Sequence, residues 1–151
     1  MNNSRRTAIK TTGAFATLVS LGIVTQSQAQ AAVDRASFAV KTLDDALKAI
    51  GGTPATSDQV TVVSPDIAEN GAVVPVGVVS KLPNTTDLYL IIEKNPTPLA
   101  AAFMIAAGTA ADVQTRVKMG QSTNVVAVVK ADGKLFSATK ETKVTLGGCG
   151  G

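Results

Sequence analysis

Histidine is absent from this sequence of 151 residues, and cysteine occurs once, at position 149. Without histidine, the chain cannot build a Ser-His-Asp or Cys-His catalytic arrangement of its own. With one cysteine, it can form neither a Cys/His metal cluster nor an intrachain disulfide framework. Any thiol chemistry therefore depends on Cys149 and on a molecule outside this polypeptide.

Aromatic residues are also scarce, at 3% of the chain, and tryptophan is missing. Apolar residues nevertheless make up 45%, with valine, alanine and threonine prominent. Because β-branched residues favour strands, this composition predicts a compact β-domain rather than a disordered chain.

Residues 1–31 have the pattern of a cleaved export signal. Arg5 and Arg6 precede an apolar stretch at residues 15–24, and Ala29-Gln30-Ala31 is a small-x-small cleavage pattern. The stretch is too short to span a membrane. The arginine pair resembles the twin-arginine signal, which directs folded proteins across the bacterial inner membrane. An ordinary secretory signal is the alternative, and both predict a periplasmic protein.

The excess of positive charge belongs to this leader. Arg5, Arg6 and Lys10 are three of the 14 basic residues, which leaves 11 basic and 11 acidic residues from Ala32 onward. A near-neutral mature domain lacks the basic patch that attracts nucleic acid or an anionic membrane surface. The sequence therefore predicts no nucleic-acid partner and no membrane partner after signal cleavage.

The mature chain begins with a helical pattern. Apolar residues between Val33 and Ile50 recur at steps of three and four, which predicts a helix ended by Gly51-Gly52. Its apolar face could bind a partner, but such faces more often pack on the domain's own sheet, and that interpretation is preferred.

Beyond Pro54 the pattern changes to the alternation typical of strands. Predicted strands, separated by turn residues, occupy residues 59–64, 73–79, 87–93, 101–106, 112–119, 124–130 and 134 onward. Pro75 and Gly77 predict an edge strand or a bulge, and the valine run at 124–130 predicts a central strand. We therefore predict a mainly β domain over residues 32–146. It is an antiparallel immunoglobulin-like β-sandwich of about seven strands with one N-terminal helix and a flexible C-terminal arm.

Charged residues within this domain are interpreted as solvated. Asp44-Asp45 lies on the polar face of the helix, and Asp66 and Glu69 lie near a turn predicted at Asn70-Gly71. Residues 140–143 alternate in charge, as on the wet face of a strand. None of these groups has metal-ligand or phosphate-loop spacing, so no metal and no cofactor are predicted.

The C-terminal pentapeptide Gly147-Gly148-Cys149-Gly150-Gly151 carries the remaining chemical group. Glycine resists fixed secondary structure, so residues 147–151 are predicted to form a flexible arm with a reach of about 17 Å. The tail supplies no histidine, lysine or helix N-terminus to activate the thiol. Cys149 is therefore better suited to carry a group to another protein than to act as a catalytic nucleophile. The alternative is a flexible terminus whose cysteine has no function.

This pentapeptide, preceded by Lys143-Val144-Thr145-Leu146, resembles the C-terminus of the SoxY family. These are sulfur-carrier subunits of the periplasmic Sox thiosulfate-oxidation system. The leader, the N-terminal helix, residues 64–71 and the Asn95-Pro96 break also resemble that family. The resemblance implies a protein cosubstrate rather than an enzyme, with Cys149 as the site of covalent sulfur attachment and Gly147, Gly148, Gly150 and Gly151 as the arm.

The resemblance also implies partners. A SoxZ-like subunit would form a heterodimer with this chain. A SoxAX-like haem enzyme would conjugate thiosulfate to Cys149, a SoxB-like hydrolase would release sulfate, and a sulfane dehydrogenase would act on the remaining sulfur. From the residues alone, the alternative is a periplasmic interaction module whose exposed cysteine forms an intermolecular disulfide. A lipid-anchored or metal-delivering thiol is weaker, because no further ligand and no prenylation-type terminus is present.

Overall fold

The computed structural model describes residues 34–145. The predicted signal at 1–31 and the predicted arm at 147–151 lie outside these residues. From Ser37 onward, the described chain belongs to one compact unit. A 3-10 helix (Asp34–Ala39) precedes helix α1 (Leu43–Ile50). The strands are β1 (Ala55–Thr56), β2 (Val60–Val63), β3 (Ile67–Ala68), β4 (Val74–Ser80), β5 (Thr85–Ile92), β6 (Leu99–Met104), β7 (Asp112–Val117), β8 (Thr123–Ala131) and β9 (Lys134–Val144).

These strands form two sheets. The larger has the order β1-β9-β8-β5-β6, with β3 also paired to β9, and the smaller has the order β2-β4-β7. The seven longer strands pair antiparallel, whereas the two-residue strands β1 and β3 join β9 in parallel. The predicted antiparallel β-sandwich of about seven strands is therefore confirmed, with β1 and β3 as short additions at one edge.

The main core lies between the two sheets. Strand alternation directs one face of each sheet inward. β8 lies between β5 and β9 and is buried along most of its length, because both of its faces are covered. The predicted central strand is thus confirmed. The fully or nearly fully buried apolar side chains of this core include Val74, Val76, Val78, Leu88, Leu90, Ile92, Val125, Ala127 and Val129.

Helix α1 covers the outer face of the larger sheet. Ala46 and Ile50 pack with Ile91, Val126 and Val128, whose side chains point away from the main core. The predicted packing of the helix on its own sheet is confirmed. Since this face of the sheet is apolar, the helix removes it from water, and the larger sheet is buried on both sides here.

The predicted continuous helix from Val33 to Ile50 is wrong. Within the described residues the chain forms the 3-10 helix, breaks, and starts α1 after Thr42. Thr42 has extended dihedrals (φ −125°, ψ 156°), and its Oγ1 accepts a hydrogen bond from the Asp45 amide at 3.1 Å. This N-cap competes with continuation of the preceding turn. The predicted stop is confirmed, since Gly51 and Gly52 have φ of 123° and 117°.

The prediction that Pro75 and Gly77 mark an edge strand or a bulge is also wrong. Their strand, β4, is the middle strand of the smaller sheet, with unbroken register to both neighbours. The proline is tolerated because β2 pairs only with residues 77–80 of β4, so Pro75 faces one described neighbour, β7, across from Arg116.

Candidate functional site

The described chain ends at Thr145, four residues before Cys149. Cys149, the arm glycines, Arg5 and Arg6 lie outside the described residues. What the structure shows is how the sandwich holds the chain that leads into the arm. That region is the C-terminal part of β9, at the end of the sandwich where β5 and β7 finish and β4, β6 and β8 begin.

Strand β9 is paired on both sides along its first part. On one side its register with β8 runs from Ala131↔Lys134 to Thr123↔Thr142. On the other side, β1 pairs with Phe136 and Ser137. The β8 ladder stops at Thr142, so residues 143–145 extend beyond the end of β8.

Residues 143–145 are held by residues 64–71, which we name the bracing segment. The Lys143 amide donates to the Asp66 carbonyl at 2.9 Å, and the Thr145 amide donates to the Ala68 carbonyl at 3.1 Å. Between them, Ile67 of β3 is in register with Lys143. The bracing segment thereby continues the sheet along the last residues before the arm.

Thr142 is the buried anchor of this region. Its side chain is fully buried, and its Oγ1 lies 3.0 Å from both Ser64 Oγ and the Pro65 carbonyl oxygen. A hydroxyl has one hydrogen and two lone pairs, so Thr142 can donate to the carbonyl while it accepts from Ser64. The interpretation of residues 140–143 as a wet strand face is therefore wrong at Thr142, because the bracing segment covers it.

Lys140 reaches the bracing segment from the surface. Its Nζ donates to the Ser64 carbonyl at 2.6 Å and lies 3.0 Å from Asp66 Oδ1. The Asp66 side chain is 86% exposed, which confirms its interpretation as a solvated residue. An ion pair this exposed adds little stability. The backbone hydrogen bonds and the buried hydroxyl groups therefore contribute most to the attachment of β9 to the bracing segment.

Gly71 ends the bracing segment and lies against Met119 and Val144. The predicted turn is present: the Asn70 side chain accepts from the Ala72 amide at 2.9 Å. A Cβ built on Gly71 would lie 2.4 Å from the Met119 carbonyl oxygen and 2.8 Å from Val144 Cγ1. The Met119 amide also donates to the Gly71 carbonyl at 2.7 Å. Glycine is therefore required here for close approach of backbone to backbone.

Two further loops complete this end of the sandwich. Ser122 Oγ accepts a hydrogen bond from the Val144 amide at 2.9 Å. Asn95, at the predicted Asn95-Pro96 break, donates from Nδ2 to the Lys118 carbonyl at 2.7 Å. Two of the segments that resemble SoxY, residues 64–71 and Asn95-Pro96, thus both lie at the end of the sandwich where β9 ends.

The described residues offer this site little chemistry of their own. Within residues 34–145, no group of three or more acidic side chains is placed to hold a metal ion, and no helix is both long enough and apolar enough to cross a membrane. Every buried side-chain nitrogen or oxygen in this part of the chain has a hydrogen-bond partner.

The described residues thus form a β-sandwich whose strand β9 is held on several sides at its C-terminal end. Comparison with known proteins identifies the class to which this sandwich belongs. The family model described as sulfur oxidation protein SoxY matches residues 46–149. The solved structure of the sulfur carrier protein SoxY from Chlorobium limicola f thiosulfatophilum is 37% identical. It superposes with a TM-score of 0.63, over 70% of this chain and 97% of that one. The chain belongs to the SoxY family.

Other similarities concern the fold alone. Superoxide reductase (neelaredoxin) from Ignicoccus hospitalis is 19% identical, with a TM-score of 0.51 over 61% of this chain and 95% of that one. A likeness at this level reflects a shared β-sandwich and carries no functional conclusion. No curated protein matches the sequence.

Proposed function

We propose that this protein is a sulfur carrier that holds thiosulfate-derived sulfur covalently on Cys149 and presents it to the enzymes of sulfur oxidation. The observation that carries the proposal is the family match, which extends from the helix to position 149, the cysteine itself. The fixed end of β9 supports it, since a carrier needs a rigid origin for the arm formed by Gly147, Gly148, Gly150 and Gly151.

The loading of Cys149 with thiosulfate is a two-electron oxidation. The Cys149 thiolate and the outer sulfur of thiosulfate form an S–S bond, and two electrons pass to a SoxAX-like haem enzyme. A SoxB-like hydrolase then adds water to the terminal sulfonate, which leaves as sulfate with two protons, and a persulfide remains on Cys149. A sulfane dehydrogenase takes further electrons from that sulfur, while water supplies the oxygen atoms and releases protons. The carrier itself catalyses none of these steps.

A SoxZ-like subunit is the proposed permanent partner, and the periplasm is the proposed compartment. The twin arginines Arg5 and Arg6 support export of an already folded domain. A partner without its own signal could travel with that domain. The near-neutral mature chain gives no reason to propose nucleic acid or membrane as a partner.

The test is intact-mass spectrometry of the mature protein from thiosulfate-grown cells, with Cys149→Ser as the matched variant. The wild-type protein should show the mass of bound thiosulfate or of added sulfur, and Cys149→Ser should show none. Only free thiol, glutathione adducts or a disulfide-linked dimer during thiosulfate oxidation would contradict the proposal. The dimer would favour the alternative of an interaction module.

A further inference from the structure

Strand β7 is an edge of the smaller sheet. Within residues 34–145 it pairs with β4 alone, from Val79↔Asp112 to Val74↔Val117, and its register has no bulge. Its sequence, DVQTRV, contains neither proline nor lysine. Proteins commonly protect an edge with a proline, a lysine or a bulge, because a regular edge offers unpaired backbone groups to another strand. Strand β7 has none of these features and is therefore open to a further strand.

Alternate residues of β7 direct their backbone groups away from β4. The Ser80 amide donates to the Ala111 carbonyl at 2.8 Å, so the odd-numbered positions face β4. Successive residues of an antiparallel strand direct these groups to opposite sides, so the even-numbered positions face the free side. Each of these positions offers one N–H donor and one C=O acceptor to a new strand.

The outward positions of β7 are Asp112, Gln114 and Arg116. The next even-numbered position, Lys118, lies just beyond the strand, and its carbonyl already accepts a hydrogen bond from Asn95 Nδ2 at 2.7 Å. The free edge thus ends at Arg116, with Gln114 at its centre.

The side chains at these three positions are exposed on the outer face of the smaller sheet. Asp112 and Arg116 carry opposite charges and are two residues from Gln114 on either side. Four residues of strand separate the two charges by about 13 Å, so they cannot pair with each other within one strand. In the part of the chain that the structure describes, the ion pair between Lys140 and Asp66 is the only one. Both charges of β7 are therefore available to another molecule.

We propose that β7 is a self-association edge, which pairs antiparallel with β7 of a second copy of this chain about a twofold axis at Gln114. Asp112 of each copy then lies opposite Arg116 of the other. The outward amides and carbonyls of all three positions find partners in this register. The two three-stranded sheets become one continuous sheet in the order β2-β4-β7-β7-β4-β2. This association is independent of the carrier function proposed above.

Charge favours this register over its neighbours. Opposite charges that face each other across a pair of strands are stabilising, and like charges are destabilising. A twofold axis at Asp112 or at Arg116 would place two like charges opposite each other. An axis at Thr115 would pair Asp112 with Lys118, whose carbonyl is already bonded to Asn95. The axis at Gln114 satisfies both charges without the use of Lys118.

The inner face of β7 adds an apolar contribution. Val113 and Val117 pack against the main core but are only half-buried, because no strand lies beyond them in the described residues. In the proposed register Val113 lies opposite Thr115 of the second copy. One pair of strands covers less area than the roughly 1,200–2,000 Å² of a stable interface, so we expect a weak dimer that forms at high protein concentration.

The test measures the association of residues 32–151 by sedimentation from micromolar to millimolar concentration. Every sample carries Cys149→Ser, so that no disulfide joins two copies. Asp112→Arg places like charges opposite each other at both ends of the interface and should weaken association about tenfold or more. Asp58→Arg makes the same change of charge at an exposed residue before β2, on the opposite edge of the smaller sheet, and should match the parent. The double variant Asp112→Arg/Arg116→Asp exchanges the charges and should recover the parental association.

A spin label at Thr61→Cys identifies the interface. Thr61 is exposed on β2 and is in register, through Val79 of β4, with Asp112. In the proposed dimer, five strand spacings and a shift of four residues separate the two labelled positions, which gives a distance of roughly 25–30 Å.

Three results would overturn the proposal. A monomer at every concentration would show that the edge does not pair with a second copy and is left to a different protein. A dimer that Asp112→Arg does not weaken, or a label distance outside the expected range, would show association through another surface. Circular dichroism checks that each variant folds. If Asp112→Arg alters the fold, Arg116→Asp makes the equivalent single reversal and decides in its place.

Discussion

The two parts of β9 are continuous in sequence, but they pair with different strands of the sheet. Residues 134–142 lie between two strands, with Phe136 and Ala138 packed against the main core. Lys143 and Val144, the end of β9, are outside the β8 ladder and pair with the two-residue strand β3, in which Ile67 is exposed and Ala68 is buried. The ladder partner of β9 thus changes within one strand, after Thr142.

This difference shows that one strand can divide its pairing between a long ladder and a short one. Val144 packs against the main core as Phe136 and Ala138 do, so the two parts differ in their ladder partners rather than in access to the core. Substitutions in the core, at Thr142 and at the exposed Asp66 should therefore differ in cost, and the following three are arranged from the largest to the smallest.

Leu90→Ala removes a side chain that is 1% exposed in the core between the sheets. The loss of buried area and the cavity left behind should lower the free energy of unfolding by about 2–5 kcal/mol. Both parts of β9 should lose protection together, because the whole sandwich unfolds more often. Urea denaturation followed by circular dichroism measures the change. Thr61→Ala, on the exposed face of β2, is the control and should stay within about 0.5 kcal/mol of the parent. A Leu90→Ala cost near that of the control would contradict the position of the core.

Thr142→Val acts at the junction. Valine keeps the shape of threonine but leaves Ser64 Oγ and the Pro65 carbonyl without their partner, which should cost about 1–3 kcal/mol. Thr142→Ser keeps the hydroxyl, so it should retain the coupling to Ser64 and lose only the packing of a methyl group. A double-mutant cycle with Ser64→Ala measures that coupling by urea denaturation. A coupling energy of zero would show that the two hydroxyls do not anchor β9.

Asp66→Asn acts on the exposed part alone. The ion pair with Lys140 is solvated, so its removal should cost no more than about 1 kcal/mol, and the difference should vanish in molar salt. Lys140→Met should cost more, because it also removes the 2.6 Å bond to the Ser64 carbonyl. Thermal melts at low and high salt compare the two variants. An equal effect of both would show that the carbonyl bond contributes nothing.

Most of the fold could be predicted from local patterns. Alternation at residues 112–119 and the valine run at 124–130 gave strands at the right places, because those signals depend on neighbours in sequence. The errors came from contacts distant in sequence. Thr142 appears polar and solvated among Lys140, Glu141 and Lys143, and only the bracing segment, 78 residues earlier, makes it buried. Nothing in residues 140–143 indicates that contact.

The remaining errors have similar causes. Pro75 suggested an edge strand, but β2 is short enough to end before it, which the local sequence does not reveal. Thr42 and Asp45 form a capping pair that could have been found within the helical pattern. For the site, the flexibility of residues 147–151 stays a prediction, and only their glycine-rich sequence was evident. The requirement for glycine at position 71 was not, because it arises from Met119 and Val144 in the folded domain.

The pairing of β9 with β3 also has a consequence for biosynthesis. The partners of Thr142 and Thr145 lie 76 to 78 residues earlier, and β8 and β1 need β9 as well. Contacts this distant in sequence make folding slow, and they cannot form until the C-terminal strand has left the ribosome. A chain interrupted before Lys134 would lack the strand that joins β8 to β1 and β3. Completion of the fold therefore requires that translation has passed β9, the strand on which both of these edges depend.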